Sequence, residues 1–73
     1  MSEAEIEKIA NDAEMIVNGY AYGKIGNNIR AVNLRTGKAA VFAEGQGAIE
    51  TNMDDMDVAL AAQYLTDNAR FME

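Results

Sequence analysis

Asp54, Asp55 and Asp57, with Glu50 and Asn52 just upstream, form the densest group of oxygen ligands in the chain. A calcium loop needs such oxygens at alternate positions, a central glycine and a closing glutamate. Here the acids run directly into Val58-Ala59, with no glycine. The pattern reads instead as a helix start, where a capping side chain and early carboxylates meet the positive end of the helix dipole, each charge worth about 0.3–1 kcal/mol. Two glycine clusters, Gly19/Gly23/Gly26 and Gly45-Gln46-Gly47, lack the Lys-Ser/Thr pair of a phosphate cradle and read as turns. The chain has no Cys and no His, and its single serine, Ser2, is terminal. Thiol and triad nucleophiles, Cys/His zinc sites and imidazole switches are thereby excluded. A pair such as Asp54/Asp57 does acid–base work only in a desolvated cleft, which 73 residues are poorly equipped to build. The expectation is a protein that is not an enzyme, with no catalytic residue, cofactor or metal site.

Binding is the remaining class of function. Residues 20–43 contain Lys24, Arg30, Arg35 and Lys38 and no acid, whereas the rest of the chain holds all twelve acids against Lys8 and Arg70. This distribution suggests three uses beyond plain solubility. The first is a protein–protein interaction or regulatory module, in which charge orients docking more than it sets affinity. The second is an acidic mimic of nucleic acid that inhibits a basic protein. The third is weak nucleic-acid binding through the basic hairpin, with Tyr20 and Tyr22 available to stack. The net charge of −6 opposes the third use, so the favoured partner is a protein, either another chain or a second copy in a homodimer.

These groups have to be held by a single small domain spanning residues 1–73. Ser2 and Glu5 form a capping box. After it Ile6, Ile9, Ala10, Ala13, Ile16 and Val17 recur at helical spacing, which predicts a helix to about Asn18, stopped at Gly19, with Met15 facing away from the stripe. Tyr20-Ala21-Tyr22 opens an extended segment. A turn follows at Gly26-Asn27-Asn28, then a strand over 29–34, a tight turn at Arg35-Thr36-Gly37-Lys38 and a return strand over 39–43. Glu44-Gly45-Gln46-Gly47 is a polar break, and 48–51 is either a short extra strand or a lead into the last helix. That helix starts with Thr51, Asn52 or Asp54 as its cap and runs to about Met72.

The expected fold is α+β, in the order α-β-β-β-α: a small antiparallel three-stranded meander packed against an N-terminal and a C-terminal helix. The last helix is apolar over a wide arc. Leu60, Tyr64 and Phe71 lie on one flank, beside Val58, Ala61, Ala62, Leu65, Ala69 and Met72, and Asp57 and Asn68 interrupt the middle. Either the arc covers both the sheet and the other helix, which is the preferred reading, or one flank meets a second chain. A core this light contributes on the order of 3–5 kcal/mol, and self-association would bury more surface. The candidate interaction residues are therefore Arg30, Arg35, Lys38, Tyr20, Tyr22, Leu60, Tyr64 and Phe71. With no apolar run long enough to span a bilayer, an acidic N-terminus unlike a signal peptide and no Cys, a cytoplasmic location is expected.

Overall fold

A computed structural model describes residues 2–43 and 47–72. The order of elements is α1 (Glu3–Asp12), β1 (Met15–Val17), β2 (Tyr20–Ile25), β3 (Asn28–Asn33), β4 (Ala39–Phe42), β5 (Ala48–Thr51) and α2 (Asp55–Asn68), closed by a 3-10 turn over Ala69–Met72. Among the described residues the five strands form one antiparallel sheet in the order β1-β2-β3-β4-β5. The fold is thus α+β, with a five-stranded meander in place of the expected three strands. The polar break at 44–46 lies outside the described residues.

The largest departure is at the end of the first helix. The Ser2 cap forms, its Oγ accepting from the Glu5 amide at 3.3 Å. The helix stops at Asp12, however, and Ala13 turns to extended geometry at φ −65°, ψ 142°. The reason is Asn18-Gly19, where both residues take positive φ, 49° and 83°. Two such residues make the hairpin turn whose twist matches paired strands, and Asn-Gly is the dipeptide that adopts it most readily. Met15-Ile16-Val17 is thereby paired with Tyr20-Ala21-Tyr22, and the Glu14 amide donates to the Tyr22 carbonyl at 2.9 Å. Met15, expected to face outward from a helix, becomes a core residue. Gly19 serves the hairpin and does not stop a helix.

The second turn, Gly26-Asn27, also joins adjacent strands in two residues, with Gly26 at φ 57°. The third is the tight turn expected at 35–38. Asn33 organises it by accepting from the Arg35 amide on its side chain, at 2.9 Å, and from the Gly37 amide on its carbonyl, at 2.8 Å. The 48–51 segment is a strand, paired to β4 across a bulge at Val41/Phe42. Asp54 is the cap of α2, accepting from the Asp57 amide at 2.8 Å.

Alternation along the strands sorts side chains onto two faces. One face carries Met15, Tyr20, Tyr22, Ala31, Ala40 and Phe42, which pack with Met53, Ala61 and Met72 as the main core. Small residues set its depth. Ala31 and Ala40 are cross-strand partners, and Ala61 of α2, wholly buried, lies over this face. The helix therefore comes close enough for the Tyr22 hydroxyl to donate to the Ala61 carbonyl at 2.7 Å. The other face buries Ala21 and Val32, and α1 lies along it beside β2, with Ile9 and Ala13 near Ala21, Gly23 and Arg30. The helices thus cover opposite faces of the sheet. The expected contact of the wide arc with a neighbouring helix is therefore not made: its middle, from Val58 through Ala61 and Leu65 to Met72, packs on the sheet, and Leu60 and Phe71 at its edge stay exposed.

Candidate functional site

The start of α2 is anchored by a polar cluster. Asp57 interrupts the apolar arc because it faces the sheet. Its carboxylate accepts a hydrogen bond from the Tyr20 hydroxyl, and the Asn33 amide donates to its two oxygens at 3.2 and 3.4 Å. Asn33 is buried, and among the described residues no buried side-chain polar atom lacks a partner. Asn68, the second interruption, donates to the Tyr64 carbonyl one turn back at 2.9 Å. Asp54 is held as a cap and Asp57 as an anchor. No three potential metal ligands gather among the described residues.

Burial, and then the hydrogen bond to the Asp57 carboxylate, pushes the Tyr20 phenol up to about 12. Burial first, with the neighbouring tyrosines second, raises Tyr22 as well. The folded state therefore favours both neutral phenols. Their contribution to stability is complete below the unfolded-state value near 10 and is lost as pH rises through the folded-state values. An alkaline titration followed by phenolate absorbance should show Tyr20 and Tyr22 ionising late, together with loss of helical circular dichroism. Ionisation of Tyr20 and Tyr22 near pH 10 with the fold intact would contradict this packing.

The sequence-derived interaction residues separate into groups. Tyr20 and Tyr22 are in the core, 3% and 0% exposed, so their rings offer no stacking surface. Both occupy inward positions of a strand under α2, as packing residues, with hydroxyls bonded to Asp57 and to the Ala61 carbonyl. Arg30 is half-buried on the α1 face, paired across the strands with Gly23 and Val41. Arg35 and Lys38 are exposed at the opposite end of β3, in the β3–β4 turn. Lys24 lies on the α2 face near the Gly26-Asn27 turn. The four bases are therefore divided between two faces and two ends of the sheet. Among the described residues the one ion pair is Lys8–Asp12, exposed, at 3.5 Å.

The α2 residues behave differently. Tyr64 is half-buried, its ring 5.7 Å from that of Tyr20 and tilted by 51°. Leu60 and Phe71 remain 38% and 59% exposed. Met56, one turn before Leu60, is 76% exposed and was not among the expected contact residues. Nothing in its spacing sets it apart, because its exposure depends on which side of α2 meets the sheet. Helical geometry puts Met56, Leu60 and Tyr64 on a common flank of α2, and Phe71 follows in the closing 3-10 turn, where the Arg70 guanidinium lies over its ring at 4.9 Å. No helix among the described residues is long and apolar enough to cross a membrane.

A model described as a family of unknown function, DUF7723, matches residues 3–72. The chain belongs to this family. No curated protein and no solved structure matches it. The family match takes in every element from α1 to the closing 3-10 turn, including the anchor cluster and the α2 flank.

Proposed function

We propose that this member of the family is a non-enzymatic protein-interaction module whose contact surface is the outer flank of α2 and whose partner is a second copy of the chain. The supporting observation is the exposure of Met56 and Leu60 on a helix whose opposite side is already seated on the sheet, with Phe71 exposed in the 3-10 turn that closes it. Large apolar groups grouped on one helix face mark association surfaces better than scattered ones do. An antiparallel, two-fold pairing of α2 makes this flank self-complementary. It also sets the acidic start of one helix, Asp54 and Asp55, beside Arg70 at the end of the other. The charge-driven alternatives have less behind them, since the bases are dispersed and the acid-rich helices lie on opposite faces. The carboxylates at the start of α2 are used in capping and anchoring, which favours binding over catalysis. A cytoplasmic location accompanies this reading, since a chain without cysteine needs no oxidising compartment.

Light scattering across tens of micromolar is expected to show a concentration-dependent dimer. Leu60→Gln with Phe71→Gln should weaken it about tenfold or more, since removal of central apolar anchors typically costs over about 1 kcal/mol each. The circular dichroism should not change, because both side chains are exposed. A monomer mass at every concentration, or a dimer indifferent to the substitutions, would overturn the proposal.

A further inference from the structure

The other flank of α2 borders an open groove of about 840 Å³. It lies between the C-terminal half of the helix, the Gly26-Asn27 turn and the end of β4. Its floor is apolar, made by Ile29, Phe42, Leu65 and Met72. The volume is within the range of about 300–1,000 Å³ typical of small-molecule sites, which combine apolar walls with a few polar groups.

The charge of the lining is the informative feature. Ten acids fall among the described residues, yet none of these lines this groove, and the one charged residue among its described lining is Lys24. Lys24 is exposed; its backbone amide donates to the Glu14 carboxylate at 3.0 Å on the α1 side, where it also borders a smaller cavity with Asp12, while its ammonium has no ion pair among the described residues. Its stem can lie along the apolar wall while the ammonium stays at the solvent edge, and Asn27 also lines the groove.

From this arrangement we infer that the groove binds a small aliphatic carboxylate: the hydrocarbon chain occupies the floor and the carboxylate meets the Lys24 ammonium and the Asn27 amide. One cation matches one singly charged headgroup. The apolar chain supplies most of the affinity, through area removed from water, and the exposed charge pair supplies selectivity. This site is separate from the flank assigned to self-association.

The test is a titration of the intact protein with decanoate, decanol and decylammonium below their aggregation thresholds, followed by amide NMR. Decanoate should bind saturably and shift Lys24, Ile29 and Leu65. Decanol should bind up to about fivefold more weakly, the upper end for an exposed ion pair, and decylammonium more weakly still. Lys24→Gln should remove the preference for decanoate over decanol while leaving decanol binding unchanged. Ala69→Leu, at an exposed position on the groove wall, should weaken all three. The Leu60→Gln/Phe71→Gln variant should bind decanoate as the wild type does, which separates this inference from the dimer. Absence of saturable binding, equal affinity for decanol and decanoate, or selectivity that survives Lys24→Gln would overturn it. So would concentration-dependent shifts of Ile29 and Leu65 without ligand, since a second copy would then fill the groove.

Discussion

Tyr22→Ala is expected to leave the chain largely unfolded at room temperature. Tyr22 has no exposed surface and is one of the two largest fully buried side chains, with Val32. It stands at the centre of the sheet, paired with Met15 on one side and Ala31 on the other, directly under Ala61 of α2. Removing a buried aromatic ring costs about 3–5 kcal/mol, as lost transfer energy plus a cavity. A domain of this length is worth roughly 4–11 kcal/mol in total, at 0.05–0.15 kcal/mol per residue, and its Ala-rich core puts it toward the lower end. The cavity has little chance to collapse, because Ala31, Ala40 and Ala61 already bring helix and sheet together. Tyr22→Phe keeps the ring and removes only the hydroxyl. It should cost about 0.5–1.5 kcal/mol, since the Ala61 carbonyl lies within α2 and keeps its helical hydrogen bond. Urea denaturation followed by circular dichroism should therefore give Phe a lowered midpoint and Ala no native baseline. Equal effects of the two substitutions would mean that the hydroxyl, not the ring, holds the helix down.

Asp57→Ala is the second large effect. It leaves the buried Asn33 amide and the Tyr20 hydroxyl facing the vacated site. An orphaned buried polar group costs about 1–3 kcal/mol, so a loss of about 2–4 kcal/mol is expected, concentrated where α2 meets the β3–β4 turn. Hydrogen exchange should report this locally, with faster exchange through the first turn of α2 and at Arg35 and Gly37 before the centre of the sheet responds. Asp57→Asn should recover part of the loss, because its amide oxygen still accepts from Tyr20. A double-mutant cycle with Tyr20→Phe should show coupling of about 0.5–3 kcal/mol, the range for groups sharing one network. Additive effects would mean that the Tyr20–Asp57 hydrogen bond carries no coupling of its own.

These two expectations describe one design. α2 is held to the sheet by apolar close packing along its middle and by a polar clasp at its start. Having been secured on one side, it can expose Met56 and Leu60 on the other, with Phe71 just beyond its end, without losing its position. The anchor keeps the proposed contact flank rigid, and rigidity reduces the entropy lost on association.

Local signals are largely legible in the sequence. Ser2 and Asp54 announce helix starts through short-range hydrogen bonds that need no tertiary partner, and the Arg35–Lys38 turn follows from a glycine at positive φ. The α+β class and the long C-terminal helix follow from periodicity. The break at Met15 shows where periodicity is insufficient. Ile16 and Val17 continue a helical stripe, yet Asn18-Gly19 closes a hairpin more favourably than the helix can propagate. Pairing with β2 and burial of Met15 then decide the contest. The dipeptide was a readable clue, but its strength depends on a strand being present to pair with.

The sequence alone determined the elements with local causes, the acid-free stretch from 20 to 43 and the exclusion of thiol and imidazole chemistry. Tertiary structure decided which groups act together. It put Tyr20 and Tyr22 in the core, joined Asp57 to Asn33 across 24 positions of sequence, dispersed the four bases and left Met56 in solvent. The physical reason is that exposure and electrostatic environment belong to the packed arrangement. Alternation names two faces of a strand and two sides of a helix, but only the docking of α2 on one face and α1 on the other settles which sides meet water.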